Sequence, residues 1–181
     1  MSNKTPRTWY VDGVSYLGKT SLANNLMDEL GYFTKIDYMG PKHLNYYAKN
    51  KEIVAPNEYM FATKHHRQVF EMVEGGYRLM LDGGHLKEVA YAPKYFEYSG
   101  DYIFDLERQY DTSNMRMVLL IDSSWSEDPD CLDYFRREGE QLDFLKAFEK
   151  SSIEDKVIVD IYGGSGRRKT KREVLDEALK K

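Results

Sequence analysis

The chain has 181 residues, 41% hydrophobic and 31% charged, with a formal net charge of −4 at pH 7. That is enough for one domain with a single core, here taken as residues 1–181, and too little for two independent folds. The composition excludes a disordered or collagenous chain, and no apolar run approaches the roughly 18 residues of a membrane helix. The opening MSNKTPRTWY lacks the apolar stretch of a signal peptide, so a cytoplasmic protein without a membrane partner is expected. A lone Cys131 excludes an internal disulfide and a Cys-rich zinc site. The acidic balance argues against a whole-surface nucleic-acid binder and leaves room for a local basic patch. Fifteen tyrosines, against eight phenylalanines, are compatible with a pocket for a planar polar ligand or with amphipathic packing.

In chain order, Thr8–Asp12 is a short β-branched and aromatic strand that runs into Gly13, and Lys19–Leu30 has a helical pattern stopped by Gly31. Tyr32–Asp37 returns as a strand. Residues 39–57 are polar, with Pro41 and Pro56, and read as a loop plus a short helix. A long helix runs from Asn57 or Glu58 to Val73, with Phe61, Val69, Phe70 and Val73 on its apolar side and Gly75-Gly76 behind it. Arg78–Asp82 is a buried-type strand. His85–Phe96, interrupted by Pro93, and Asp101–Tyr110 read as helices. Met115–Asp122 is the most hydrophobic strand. A polar segment, Ser123–Asp133, leads to a helix at Tyr134–Ser151, a strand at Lys156–Tyr162 and a closing helix at Lys171–Leu179.

Five strands alternating with helices predict an α/β fold: a five-stranded parallel sheet with helices on both faces. Ligands of such sheets bind at the carboxyl ends of the strands, which places Asp37, Asp82 and Asp122 on the functional edge.

Gly13-Val14-Ser15-Tyr16-Leu17-Gly18-Lys19-Thr20 satisfies G-x-x-x-x-G-K-[ST] at every position, between a predicted strand and a predicted helix. A chance match in a chain of this length has a probability on the order of one in a hundred before that context is counted, so the pattern is read as a phosphate-binding P-loop. The glycines let successive backbone N–H groups curl around an anion, and the helix that follows presents its positive end to the same oxygens. Ser15, Tyr16, Leu17, Gly18, Lys19, Thr20 and Ser21 then surround the phosphates of ATP. Lys19 bridges the β- and γ-phosphates, and the Thr20 hydroxyl holds Mg²⁺. The chain has no guanine-reading N-K-x-D. After the third strand Asp82 is followed by Gly83-Gly84-His85 rather than a second acid, which leaves a small kinase with a mobile lid at about residues 123–140. Arg136 and Arg137 fall in that lid.

Val11-Asp12-Gly13 through Lys19-Thr20, Phe61-Ala62, and Leu81-Asp82-Gly83-Gly84-His85-Leu86-Lys87-Glu88 followed by Tyr91 resemble the thymidylate kinase and deoxynucleoside kinase group of P-loop kinases, particularly the short virus-encoded members. The similarity covers roughly residues 8–162. The resemblance implies phosphoryl transfer from ATP to a deoxynucleoside monophosphate such as dTMP, and the host cytoplasm if the chain is virus-encoded. It places Asp12 near the substrates, Asp82 beside Mg²⁺ or the transferring group, and Arg136 and Arg137 over the phosphates as a clamp. It puts Phe61, Lys64, His65 and Arg67 on the acceptor side with Tyr91, where Tyr46, Tyr47 and Tyr59 also fall. The loop after the last strand approaches adenine, with Arg167 as the stacking residue.

Two positions depart from the group. Gly83 stands where an arginine usually grips the acceptor phosphate, and Lys64-His65 stand in place of an Asp-Arg pair. Lys42, Lys64, Arg67 and Lys87 are candidate replacements for the missing charge. A nucleoside acceptor needs instead a carboxylate to take its proton, for which Asp37 is placed. Both acceptors stay open. So does a nucleic-acid acceptor held by the basic stretch Arg167–Arg172, which reads equally as a flexible connection. A homodimer is also left open.

Overall fold

The computed structural model describes residues 6–31, 33–37, 51–96, 98–126, 134–163 and 166–180. Its strands are β1 (Thr8–Gly13), β2 (Thr34–Asp37), β3 (Leu79–Asp82), β4 (Met115–Ile121) and β5 (Asp155–Asp160). Its helices are α1 (Lys19–Leu30), α2 (Lys51–Glu74), α3 (His85–Tyr95), α4 (Tyr102–Glu107), α5 (Tyr134–Lys150) and α6 (Lys171–Leu179). The expected five-stranded parallel sheet forms, in the order β2-β3-β1-β4-β5. Helices cover both sides. α1 packs with α6 against β1, β3 and β5, while α2 to α5 pack on one another with α3 on β1 and α5 on β4.

β1, β3 and most of β4 are buried on both faces, which is why TWYVD, LMLD and MRMVLLI read as continuous runs rather than alternations. The edge strand β2 is half-exposed, and its Lys35 and Asp37 share one face because the side-chain period is two. Gly31 ends α1 with φ +93, and its N–H donates to the Met27 carbonyl at 2.9 Å, the stop that its position predicts.

Several boundaries move. α2 begins at Lys51, ahead of the Asn57 start that Pro56 suggests. A proline so near a helix start removes only one backbone hydrogen bond, and the long apolar face beyond it outweighs that loss. Pro93 lies inside α3 without breaking it, for the same reason at the other end. The helix expected over Asp101–Tyr110 is confined to Tyr102–Glu107, and β5 is shifted to Asp155–Asp160. Of the lid segment, Ser123–Ser126 forms a 3₁₀ turn and 134–140 begins α5; 127–133 lie outside the described residues.

One buried polar knot ties α3, α4 and the end of α5 together. The Glu107 carboxylate, fully buried, lies 2.7 Å from His85 Nε2 and accepts from the hydroxyls of Ser151 at 2.9 Å and Ser152 at 2.5 Å. Burial alone raises its pKa, but His85 and Ser152 hold it down at about 2. His85 therefore serves as the buried partner of Glu107 within the fold.

Gly13 joins β1 to the loop that follows. Its φ is +137, and a Cβ built on it would stand 2.5 Å from the Leu120 carbonyl oxygen of β4. Strain and collision coincide there, so Gly13→Ala is expected to lower unfolding stability by more than about 2 kcal/mol in a denaturant titration. A loss under a few tenths would show that β1 and β4 are not held this closely.

Candidate functional site

The P-loop motif forms the turn between β1 and α1. Gly18 is the N-cap of α1 with φ +97, and the Leu22 N–H donates to its carbonyl at 2.9 Å. Tyr16 also has a positive φ, +70, and is 83% exposed. The backbone thus turns back on itself twice within the loop, and the unpartnered N–H groups of a helix start follow directly. Ser15 and Thr20 are exposed, and Leu17 is buried beneath the loop. Lys19 donates to the Val14 carbonyl at 2.8 Å, folding its ammonium over the loop.

Burial lowers the Lys19 pKa to about 8, against the pull of Asp12 and Asp82 and with the help of Lys87. Asp12 itself has no accessible surface. Its carboxylate accepts from the Tyr10 hydroxyl at 2.5 Å and from the Gly13 N–H at 2.9 Å, and the same tyrosine oxygen accepts from the Leu86 N–H at 2.8 Å. Burial raises the Asp12 pKa, opposed by Lys87, Lys19, Tyr10 and Gly13 in that order. Asp12 therefore acts by holding Tyr10, the P-loop and the start of α3 in register, not by presenting a surface to a ligand.

Asp82 lies beside both Val11 and Asp37 in the parallel register, at the carboxyl edge next to the P-loop. Lys35 Nζ is 3.1 Å from Asp82 and 3.1 Å from Asp37. Burial works against the Lys35 charge, but hydrogen bonds to the two aspartates carry its pKa above the ordinary value. Lys35 was not among the candidates; its alternation with Asp37 on an edge strand was the available signal. Tyr10 was missed in the same way, two positions before Asp12 on one strand face.

The remaining candidates separate. Tyr91 sits against the P-loop, where it shares a hydrogen bond with Ser15, and its hydroxyl lies 3.5 Å from Glu140 of α5. Phe61 and His65 stack on one face of α2, with ring centroids 6.0 Å apart, and His65 lines a narrow cleft with Gly83 and Gly84. Lys64 and Arg67 are exposed on α2. Tyr59 packs against Tyr98 and Tyr102. Asp122 caps the 3₁₀ turn, accepting from the Ser124 N–H at 2.9 Å. The side chains of Arg136 and Arg137, and Lys42, Tyr46, Tyr47 and Cys131, lie outside the described residues.

The basic stretch is not a loose connection over its described residues. Tyr162 and Arg168 form an antiparallel bridge, and the Gly163 N–H donates to the Arg167 carbonyl at 2.9 Å. Arg167 pairs with Glu173, Lys169 with Glu177, and Arg172 with Glu29 and Asp176. Arg168 and Lys169, rather than Arg167, line a cleft of about 240 Å³ with Gly18, Ser21 and Asn25 beside the P-loop.

For a divalent cation the donors at hand are oxygens, the exposed Thr20 hydroxyl at the start of α1 and the Asp82 carboxylate at the end of β3. Among the described residues no group of three His, Cys, Asp or Glu side chains could hold a metal. One carboxylate with a hydroxyl suits Mg²⁺, which takes the rest of its ligands from water and phosphate. No helix among the described residues is long and apolar enough to cross a membrane.

The YorR protein of Bacillus subtilis, whose crystal structure is of a complex with phosphorylated GDP, shares this fold. The two superpose with a TM-score of 0.61 at 13% identity, over 95% of this chain and 93% of that one. No protein-family model matches the sequence, and no curated protein does.

Lys19 has a consequence for stability. Its folded pKa, about 8, lies below the ordinary 10.5, so between those values the unfolded chain binds more protons and stability rises with pH. At pH 7 the charged group costs the fold about 1–3 kcal/mol. Lys19→Met should therefore be more stable than the wild type at pH 7, with the gap narrowing between pH 8 and 10.5 in urea titrations. A variant less stable than the wild type at pH 7 would contradict this.

Proposed function

We propose that the protein is a P-loop phosphotransferase that moves the γ-phosphoryl group of ATP, with Mg²⁺, to a deoxynucleoside monophosphate of the dTMP kind. The observation that carries this reading is the Lys19 ammonium, desolvated over the P-loop and facing Asp12 and Asp82 at the carboxyl edge of the sheet. A buried cation that costs stability is explained by an anion it is placed to meet.

In this reading the triphosphate lies along the P-loop. Lys19 exchanges its bond to the Val14 carbonyl for the donor phosphates, and the first N–H groups of α1 point at the same oxygens. Thr20 and Asp82 would hold Mg²⁺, which would neutralise part of the charge on the donor phosphates. The adenosine end occupies the cleft beside Gly18, Ser21 and Asn25, where Arg168, Lys169 and Lys171 are the basic side chains. Tyr91 links Ser15 of the P-loop to Glu140 of α5, so the helix that carries Arg136 and Arg137 is joined to the phosphate site. Those two arginines close over the transferring group and exclude water.

On the acceptor side this reading takes His65 and Gly83, which line a narrow gap between α2 and the end of β3. A nucleic-acid acceptor is less favoured, because Arg167, Lys169 and Arg172 already pair with glutamates and an aspartate of the same chain. A free nucleoside is the second reading, and Gly83 in place of arginine is the feature that favours it.

The test is a panel of nucleosides, nucleoside monophosphates and oligonucleotides incubated with ATP and Mg²⁺. Phosphorylation of a deoxynucleoside monophosphate is expected, and Lys19→Met, though folded, should lose at least about 10³-fold in turnover. Full turnover in that variant, or transfer only to oligonucleotides, would overturn the assignment.

A further inference from the structure

Asp37 and Asp82 end β2 and β3 as direct neighbours in the parallel register. Like charges opposite each other in a sheet repel, so the pair costs stability unless a cation joins it. Lys35 is that cation. It lies two residues before Asp37 on the same side of the edge strand, and its Nζ reaches forward to within 3.1 Å of each carboxylate. The two carboxylates differ in their need of it. The Asp82 side chain is 8% exposed and the Asp37 side chain 54%, so water can solvate Asp37 in place of the ammonium but can do little for Asp82.

If Lys35 only neutralised the strand ends, Asp37 would be a liability. One lysine neutralises Asp82 by itself, and a second, exposed carboxylate opposite adds repulsion. Asp37 gains a use once Asp82 has a second cation to meet. Asp82 and the Thr20 hydroxyl are the oxygen donors available to Mg²⁺, and an ammonium group already on that carboxylate makes them a poor site for a bare divalent ion. A nucleotide changes the balance, because its phosphate oxygens add ligands and negative charge. Lys35 can then leave Asp82 without losing its place, since Asp37 holds it at the same 3.1 Å.

We infer that Lys35 is a positioning residue: its ammonium group occupies the Asp82 carboxylate in the nucleotide-free protein and is retained by Asp37 when a metal–nucleotide complex binds, so that the site takes up a divalent cation with its nucleotide and not alone. This rests on reading the P-loop as a nucleotide site with Asp82 at its metal. The exchange is one of ion pairs, and no covalent bond forms or breaks in it. Because Lys35 stands on β2, the exchange leaves Lys19 and the backbone of the P-loop to the phosphates.

Metal binding tests this without turnover, with Mn²⁺ as the paramagnetic replacement for Mg²⁺. Lys35→Met should bind Mn²⁺ alone, measured by electron paramagnetic resonance, at least about tenfold more tightly than the wild type, because an ammonium group no longer faces the ion. Its affinity for the preformed complex of Mn²⁺ with a non-hydrolysable ATP analogue, measured by calorimetry, should change less than about threefold. Adding Asp82→Asn to Lys35→Met should abolish the gain, which locates the ion at Asp82. Asp37→Asn, which removes the group that retains Lys35, should bind the complex at least about threefold more weakly and Mn²⁺ alone no more tightly than the wild type. Thermal unfolding reports whether each variant is folded, and Lys35→Gln replaces Lys35→Met if the latter is not. An unchanged affinity for Mn²⁺ alone in the folded variant, a gain that survives Asp82→Asn, or wild-type binding of the complex by Asp37→Asn would overturn the proposal. Failure of the wild type to bind the nucleotide complex would remove the P-loop reading and the proposal with it. The expected shifts without phosphoryl transfer to any acceptor would instead remove the phosphotransferase reading and leave Lys35 in this role.

Discussion

A carboxylate with no access to water stands at the end of the central strand, and the geometry of the whole edge depends on it. Asp12 is surrounded by a tyrosine hydroxyl, a backbone N–H of the P-loop and two lysines from different elements. A buried charge of this kind is costly unless its partners are all present and well placed. Each partner in turn fixes an element: Tyr10 the strand and, through Leu86, the start of α3; Gly13 the entry to the P-loop; Lys19 the start of α1. This carboxyl group thus ties three chain segments together. An apolar residue at this position could fill the volume but could not specify those directions.

The same constraint explains which parts of the site were legible in the sequence. The P-loop is local: glycines, a lysine and a threonine at fixed spacing between a strand and a helix, and Gly13, Gly18 and Lys19 adopt the conformations that the spacing demands. The alternation of apolar runs made the parallel sheet readable too, since β1, β3 and β4 are buried on both faces. The ends of elements were less legible. Pro56 and Pro93 lie near helix ends, where the loss of one hydrogen bond is tolerated, so a residue that marks a boundary on average marks none here.

Pairings between distant segments were hidden for a different reason. Lys35 joins Asp37 to Asp82 only because β2 lies beside β3 in parallel register, which the order of elements along the chain does not announce. Arg167 reads as a ligand-stacking residue until α6 folds back and brings Glu173 to it. Composition gives the number of charges in a stretch, whereas the fold decides which of them are already spent on one another. Over residues 166–172 that distinction matters, because three of the five basic side chains, those of Arg167, Lys169 and Arg172, pair with acids of α1 and α6.

The lysines and carboxylates of the carboxyl edge form one linked set rather than separate pairs. Asp12 and Asp82 both act on Lys19, Lys87 acts on the same Asp12, and Lys35 lies 3.1 Å from both Asp82 and Asp37. The two groupings adjoin, because Val11, next to Asp12, lies opposite Asp82 in the sheet. Asp82 belongs to both, so its charge is felt on the loop after β1 through Lys19 and on the edge strand through Lys35. Without it Lys35 would keep Asp37 alone, and Lys19 would lose one of the two attractions that oppose its desolvation. A single carboxylate at the end of β3 thus couples the loop between β1 and α1 to the edge of the sheet.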